Sequence, residues 1–447
     1  MFKNYSNNRY IIFLLLFTAL LIPAYLKILN NNFNYYDTGY YLNIFNKEKI
    51  IDIISIHFQI LIVPIKFILN IFNLNNIYVL FFIQAICISL PILIKSVYEN
   101  KLVLISYLLF PSHYYWAYLD FHIDIVAYPL LFLLNYYYFE NFNKKKFIFI
   151  SLLIISIKLY FFLLIIGYLI YDKIYDKRFN VKIKNIIGLL SLLIFSTFIL
   201  FYINFEKNIF QFYLSNISYQ LIKEKIILTI FLFFYLNLYF QIFNKLKELI
   251  IVLPIFFLFI LWPSNNLLKF YNHYLIILCP LFFYLTNKTT SKYFLYKGKI
   301  KNIIIILQII FHVILSNTLI SFNLYLSENN MINYKTYLNN KYTSEYKYEI
   351  IEMIENINIK NISITNNLGI EEIYQKYNIE IFPDYDQSNL IILLLDKPFY
   401  IGEKIYCNLK KHCDIDLIIR NYSNNLEEFE KKYTDNKIII LERKTKL

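Results

Sequence analysis

Acidic side chains are scarce in the first 326 residues of this 447-residue chain, which hold only 12 Asp and Glu. The few that stand among apolar and aromatic neighbours are therefore the candidates for chemistry. Asp37 lies in NYYDTGYY beside Thr38 and Gly39, a sequence that permits an exposed turn. A carboxylate in such surroundings is costly unless it binds a cation, accepts a proton or pairs with a base, although it could also cap the helix that follows. Asp120, His122 and Asp124 lie in YLDFHID at spacing i, i+2, i+4. In a helix the two aspartates would share a face, and in an extended segment all three residues would. That set suits a divalent metal such as Mg or Mn, or general acid/base work; a structural network where a helix begins has the same make-up. Lys158 is the single charge inside FIFISLLIISIKLYFFLLIIGYLIY, residues 147 to 171. His57 and His273 each open an apolar segment, as ligand-site groups or as interfacial anchors.

Positioning these groups falls to long apolar runs. A bilayer core of about 30 Å takes roughly 20 apolar residues as a helix. Hydropathy places spans near 10 to 28, 77 to 94, 102 to 118, 125 to 142, 186 to 204, 226 to 243, 249 to 262, 274 to 287 and 302 to 322. The expectation is a polytopic α-helical membrane protein with about nine full spans. The segment 147 to 171 has lysine-rich clusters at both ends, KKK before and KIYDKR after. A straight crossing would put one cluster outside, against the positive-inside tendency. The alternative is a hairpin of two short helices turning at Lys158, tolerated where the turn is buried in protein or lines a wet cavity. HFQILIVPIKFILNIF, residues 57 to 72, is short and holds Pro64 and Lys66, and reads as an interfacial helix within an outer loop spanning 29 to 76. With the N-terminus inside, every candidate group falls on the outer side.

Composition excludes several classes. Only six glycines occur, none spaced for a GxGxxG turn or a Walker loop, so a glycine-cradled phosphate site is ruled out. No CxxC or Cys/His spacing suggests zinc. The net charge of +13 divides unevenly: residues 1 to 326 carry 28 Lys and Arg against 12 acids, a balance of +16, and residues 327 to 447 carry 16 against 19, a balance of −3. The basic excess thus belongs to the apolar part, where topology in the cytoplasmic membrane explains it better than nucleic-acid binding. Residues 327 to 447 alternate strand-like runs (NISIT, LIILLLD, DIDLIIR, KIIILER) with helix-compatible stretches (YEIIEMIENI, NNLEEFEKKY), as in a small α/β domain that the topology puts outside the cytoplasm. There Cys407 and Cys413 are either a disulfide or two free thiols.

NYYDTGYYLNIFN, HFQILIVPIKFILNIF, FIQAICISLPIL, YLLFPSHYYWAYLDFHIDIVAYPL and NHYLIILCPLFF resemble, in order, the prokaryotic membrane proteins grouped as domain of unknown function 2079. The aspartate-Phe-His cluster at Asp120, Phe121 and His122, followed by Asp124, is the strongest signature, and NISITNNLGIEEIYQKYNIEIFP looks like that family's outer domain. The family often carries a Lys-Glu pair where this chain has Lys158-Leu159. It is similar to the GT-C membrane glycosyltransferases, which bind a polyprenyl-phosphate-linked sugar in an outward cavity. The resemblance implies a GT-C-like bundle and inverting transfer of a sugar to an acceptor outside, with Asp37 at the catalytic carboxylate's position. It also implies a donor site drawing on Lys158, His57 and His273, with Asp120, His122 and Asp124 available to a metal. A transporter or lipid flippase, or a membrane scaffold with an outer binding domain, are the rival classes.

Overall fold

The computed structural model describes, in the helical part, residues 5–29, 60–71, 77–119, 121–179, 246–256 and 276–293 with isolated positions such as Tyr41. In the tail it describes chiefly 350–352, 354–355, 361–364, 377–381, 388–394, 399–401, 404–406, 428–434 and 438–444. The first helix, Tyr5–Leu29, runs 25 residues through Pro23. It packs on the helix Ile77–Ser89: Phe17 meets Phe82 edge-on at 5.3 Å, and the Tyr25 hydroxyl donates to the Tyr78 carbonyl at 3.3 Å.

The expectation of about nine spans, and of a GT-C-like bundle built from them, is overturned here. Among the described residues one helix, over Asn8–Tyr25, is long and apolar enough to cross a membrane. Hydropathy measures how apolar a run is, not whether one helix continues through it, and these runs are cut. The 77 to 94 run is a helix that tightens into a 3-10 turn, Leu90–Leu93, around Pro91. The 102 to 118 run divides into Lys101–Leu108 and Pro111–Leu119, because proline disfavours helix in the residue before it. The 125 to 142 run is a 3-10 turn (Ile123–Val126), nine α-helical residues (Ala127–Asn135) and a π turn (Tyr136–Glu140). The runs at 186 to 204, 226 to 243 and 302 to 322 lie essentially outside the described residues.

The 147 to 171 segment is two helices, Lys144–Ile157 and Phe162–Tyr171, joined at Lys158 and a 3-10 turn, Leu159–Phe161. The first begins where Asn143 accepts from the Lys146 amide at 3.0 Å, and it stops because Lys158 takes an extended backbone, φ −158° and ψ 136°. Phe147, near the start of the first arm, meets Tyr168, near the end of the second, at 5.5 Å between ring centroids, so the arms run antiparallel. Arms of 14 and 10 residues are about 21 and 15 Å long at 1.5 Å per residue. The second arm lies so close to the Leu246–Ile251 segment that a Cβ on Gly167 would collide with the Ile251 carbonyl.

The tail carries a five-stranded mixed sheet in the order β2-β1-β3-β7-β6. β1 (Asn361–Ile364) pairs in parallel with β2 (Asn378–Ile381) and β3 (Leu390–Leu394); β7 (Ile438–Arg443) runs antiparallel to β3 and to β6 (Phe429–Thr434). A separate hairpin joins β4 (Phe399–Ile401) to β5 (Lys404–Tyr406). The runs NISIT, LIILLLD and KIIILER form β1, β3 and β7, with Ile362, Ile364, Leu390, Ile392 and Ile440 buried. NNLEEFEKKY, helix-compatible by sequence, supplies part of strand β6 instead, because pairing with β7 outweighs local preference. DIDLIIR, Cys407 and Cys413 lie outside the described residues.

Candidate functional site

The site is built where the helix Pro111–Leu119 gives way to the 3-10 turn Ile123–Val126. Between them His122 is extended, φ −127° and ψ 124°, and its amide donates to Gln84 Oε1 at 3.1 Å. Gln84 is buried on the helix Ile77–Ser89, and its Nε2 donates to the Trp116 carbonyl at 2.5 Å. One side-chain amide thus ties both sides of the loop to a third element. Alongside, His113 is a satisfied core histidine, with Nδ1 at 2.9 Å from the Tyr107 carbonyl and Nε2 at 2.7 Å from the Tyr128 hydroxyl.

This brace fixes Asp124, whose side chain is fully buried. Lys158 Nζ donates to Asp124 Oδ2 at 2.9 Å, and the Tyr160 hydroxyl donates to the same oxygen at 3.0 Å. The ammonium also lies 5.6 Å from the Tyr160 ring centre. The Lys158 side chain keeps 13% of its surface exposed. Lys158 can reach Asp124 because the helix breaks under it: an extended residue between two arms is free of the helical surface and points its stem beyond the arm's end. A buried carboxylate demands a charge-assisted partner, and the ammonium supplies it.

Two further contacts draw on neighbouring segments. The Tyr41 ring, four positions after Asp37 in sequence, meets Phe121 edge-on at 5.3 Å. The Leu61 amide, four positions after His57, donates to the Ser156 carbonyl at 2.9 Å, two residues before Lys158. Asp37, His57, Asp120 and His273 themselves lie outside the described residues. Of the residues singled out by sequence, the structure joins Asp124 to Lys158 and places His122 two positions from Asp124, its backbone held by Gln84. Leu159 offers Lys158 no acidic partner in sequence, and Asp124, from another segment, pairs with it through space.

His122 and Asp124 are the described members of the set offered to a divalent metal, and the third, Asp120, lies outside the described residues. Among the described residues no three His, Cys, Asp or Glu side chains gather, and at Asp124 Oδ2 the positive charge is already an ammonium. Tyr160 and Gln84 carry no charge, and sequence reasoning passed over both. Tyr160 could have been found as the residue two places beyond the lone lysine.

A second polar centre, at the other end of the hairpin, also escaped the sequence. Asp172 stands in YDKIYDKR, where acids beside lysines read as solvated, yet it is fully buried. It accepts from the amides of Arg178 at 2.9 Å and Phe179 at 3.0 Å, and from the Tyr138 hydroxyl at 3.3 Å. Lys177 turns the chain there with φ 54°. Glu248, 5% exposed, is likewise held, by Lys288 at 2.6 Å.

Comparison of the chain with known protein families, with curated proteins and with solved structures returns no match.

Proposed function

We propose that the chain transfers a sugar from a polyprenyl-phosphate donor to an acceptor hydroxyl at a membrane surface. The observation that carries this reading is the Lys158 ammonium: partly exposed, at the break of an apolar hairpin, and held by one buried carboxylate oxygen. An anionic phosphate is a stronger competitor for that ammonium, and the Tyr160 hydroxyl keeps Asp124 hydrogen-bonded when Lys158 turns away.

Membrane association is supported by large apolar side chains facing outward. Ile11, Leu14 and Leu15 on the first helix, Phe67 and Ile71 on Ile62–Ile71, and Phe149 and Leu152 on the first hairpin arm are all more than half exposed. Surfaces of that kind mark contact with lipid or with another apolar partner. The reading asks for one apolar anchor and these faces, not for nine spans.

In the reaction the acceptor oxygen attacks the anomeric carbon as the bond from that carbon to the phosphate oxygen breaks, so the configuration inverts. Asp37 takes the hydroxyl proton, and Lys158 balances the charge gathering on the departing polyprenyl phosphate. No step is routed through a metal. Stacking of sugar and prenyl groups on the abundant Tyr and Phe side chains would add binding energy. The test is a transfer assay with purified protein and a short-chain polyprenyl-phosphate sugar. Asp37→Asn should abolish transfer and leave donor binding intact, whereas Lys158→Met should lower both. Full activity in Asp37→Asn would remove the base, full activity in Lys158→Met would remove the donor-phosphate contact, and absence of transfer by the wild-type chain would favour the scaffold class.

A further inference from the structure

Three separate segments bring basic side chains to the end of the hairpin opposite Lys158, and all of them rest on one connected aromatic floor. Lys144 Nζ lies 5.9 Å from the Phe179 ring centre, Arg178 Cζ 5.7 Å from Tyr138 and 5.3 Å from Phe142, and Lys247 Nζ 5.5 Å from Tyr175. The floor is continuous: Phe142 meets Phe179 at 5.3 Å, Tyr138 meets Phe179 at 6.1 Å and Tyr171 at 6.0 Å, and Tyr171 meets Tyr175 at 5.4 Å. Lys145, Lys173 and Lys177 are exposed around it. The acids nearby are largely spoken for: Asp172 is buried on backbone amides, Asp176 lies 3.6 Å from Arg178, and Glu248 is paired with Lys288, which among the described residues leaves Glu140 as the exposed counter-charge.

We propose that this end is a docking surface for anionic phospholipid headgroups. Two features select lipid over another polyanion. The cations sit over ring faces, Arg178 anchored by an Nη1 bond to the Tyr138 carbonyl at 2.7 Å, Lys144 exposed and Lys247 half-buried beside their rings, as where amphipathic aromatics mark a headgroup layer. Ile174, Tyr175 and Phe142, between 38% and 52% exposed, project among the same charges, offering apolar groups to the acyl boundary while the lysines meet phosphate. The first arm then spaces this layer about 21 Å from Lys158, less than a hydrocarbon core of roughly 30 Å. The inference stands apart from the glycosyl-transfer reading, since it needs no reaction.

The experiment titrates the full chain, purified in a zwitterionic detergent, with phosphatidylglycerol or phosphatidylcholine, reading thermal stability and lipid adducts by native mass spectrometry. Phosphatidylglycerol should bind and stabilise, and phosphatidylcholine should not. Replacing Lys144, Lys145 and Lys173 by Gln together should weaken the phosphatidylglycerol effect roughly 10- to 100-fold. The same changes at Lys431 and Lys444 in the tail should leave it unaltered. Arg178→Lys, which keeps the charge, should retain the effect if the triple variant proves unstable, and Arg178→Gln should lose most of it. Equal response to the two lipids, or an undiminished response in the triple variant, overturns the assignment. So does a short RNA that stabilises the protein as phosphatidylglycerol does at matched phosphate concentration.

Discussion

Asp124 and Asp172 stand at opposite ends of one helical hairpin, both fully buried, and differ in what holds them. Asp172 receives a tyrosine hydroxyl and two backbone amides, and the amides cannot leave without unwinding the turn at 177–179. Asp124 receives an ammonium on a flexible four-carbon stem and a tyrosine hydroxyl. The same side chain at the same burial is thus held by backbone in one place and by side chains, of which the proposed reading makes Lys158 exchangeable, in the other. The kind of donor separates the two roles, and burial alone does not.

Asp172→Ala should give the largest loss of stability, about 3 kcal/mol, because it strands two amides that the turn holds away from water. Chemical or thermal unfolding would measure it, and a loss as small as that of Asp124→Asn would erase the distinction. Gly167→Ala should cost about 2 kcal/mol by forcing the second arm off the Leu246–Ile251 segment. This tests whether the hairpin needs that packing to present either end. Asp124→Asn should cost only about 1 kcal/mol, since Asn still accepts from Lys158 and Tyr160, and its mark should appear instead in anion affinity.

The edge of the tail sheet gives the lower bound. Glu430 lies directly across from Glu442, and Lys432, at the bulge between Lys431 and Tyr433, bridges them at 2.6 and 3.1 Å. Its bonds to the two glutamates raise the Lys432 pKa, and Lys432 lowers that of Glu430. The contribution of Glu430 is therefore present above the ordinary carboxylate range and lost as pH falls through its lowered value. That of Lys432 is present below the ordinary lysine range and lost as pH rises through its raised value. Lys432→Gln should shift Tm near neutral pH by about 1–2 °C, and salt should abolish the shift.

Sequence alone exposed Lys158 and Asp124 better than the frame. A lone lysine in 25 apolar residues and an aspartate between apolar runs cannot be solvated cheaply, so Lys158 and Asp124 stand out by chemistry. Their pairing could not be read, because it depends on Lys158 being extended and on Gln84 bracing the loop from another helix. Asp172 was hidden by the lysines around it, since a charge run looks the same whether its acid faces water or its own backbone. Strands β1, β3 and β7 were legible as short apolar runs rich in Ile, whereas β6 was not, with three consecutive charges, Glu430, Lys431 and Lys432, on the sheet edge. The count of spans failed because apolar character persists across Pro91 and Pro111 while the helix does not.

The central claim is that Lys158 can leave Asp124 for a phosphate. Titration calorimetry with a short-chain polyprenyl phosphate, on wild type, Asp37→Asn and Lys158→Met, tests it without requiring transfer. The account predicts equal affinity for wild type and Asp37→Asn, and a drop of about 10- to 100-fold for Lys158→Met, as expected for a charge-assisted contact worth roughly 1.5–3 kcal/mol. Unchanged affinity in Lys158→Met would contradict it and leave the pair a structural bridge.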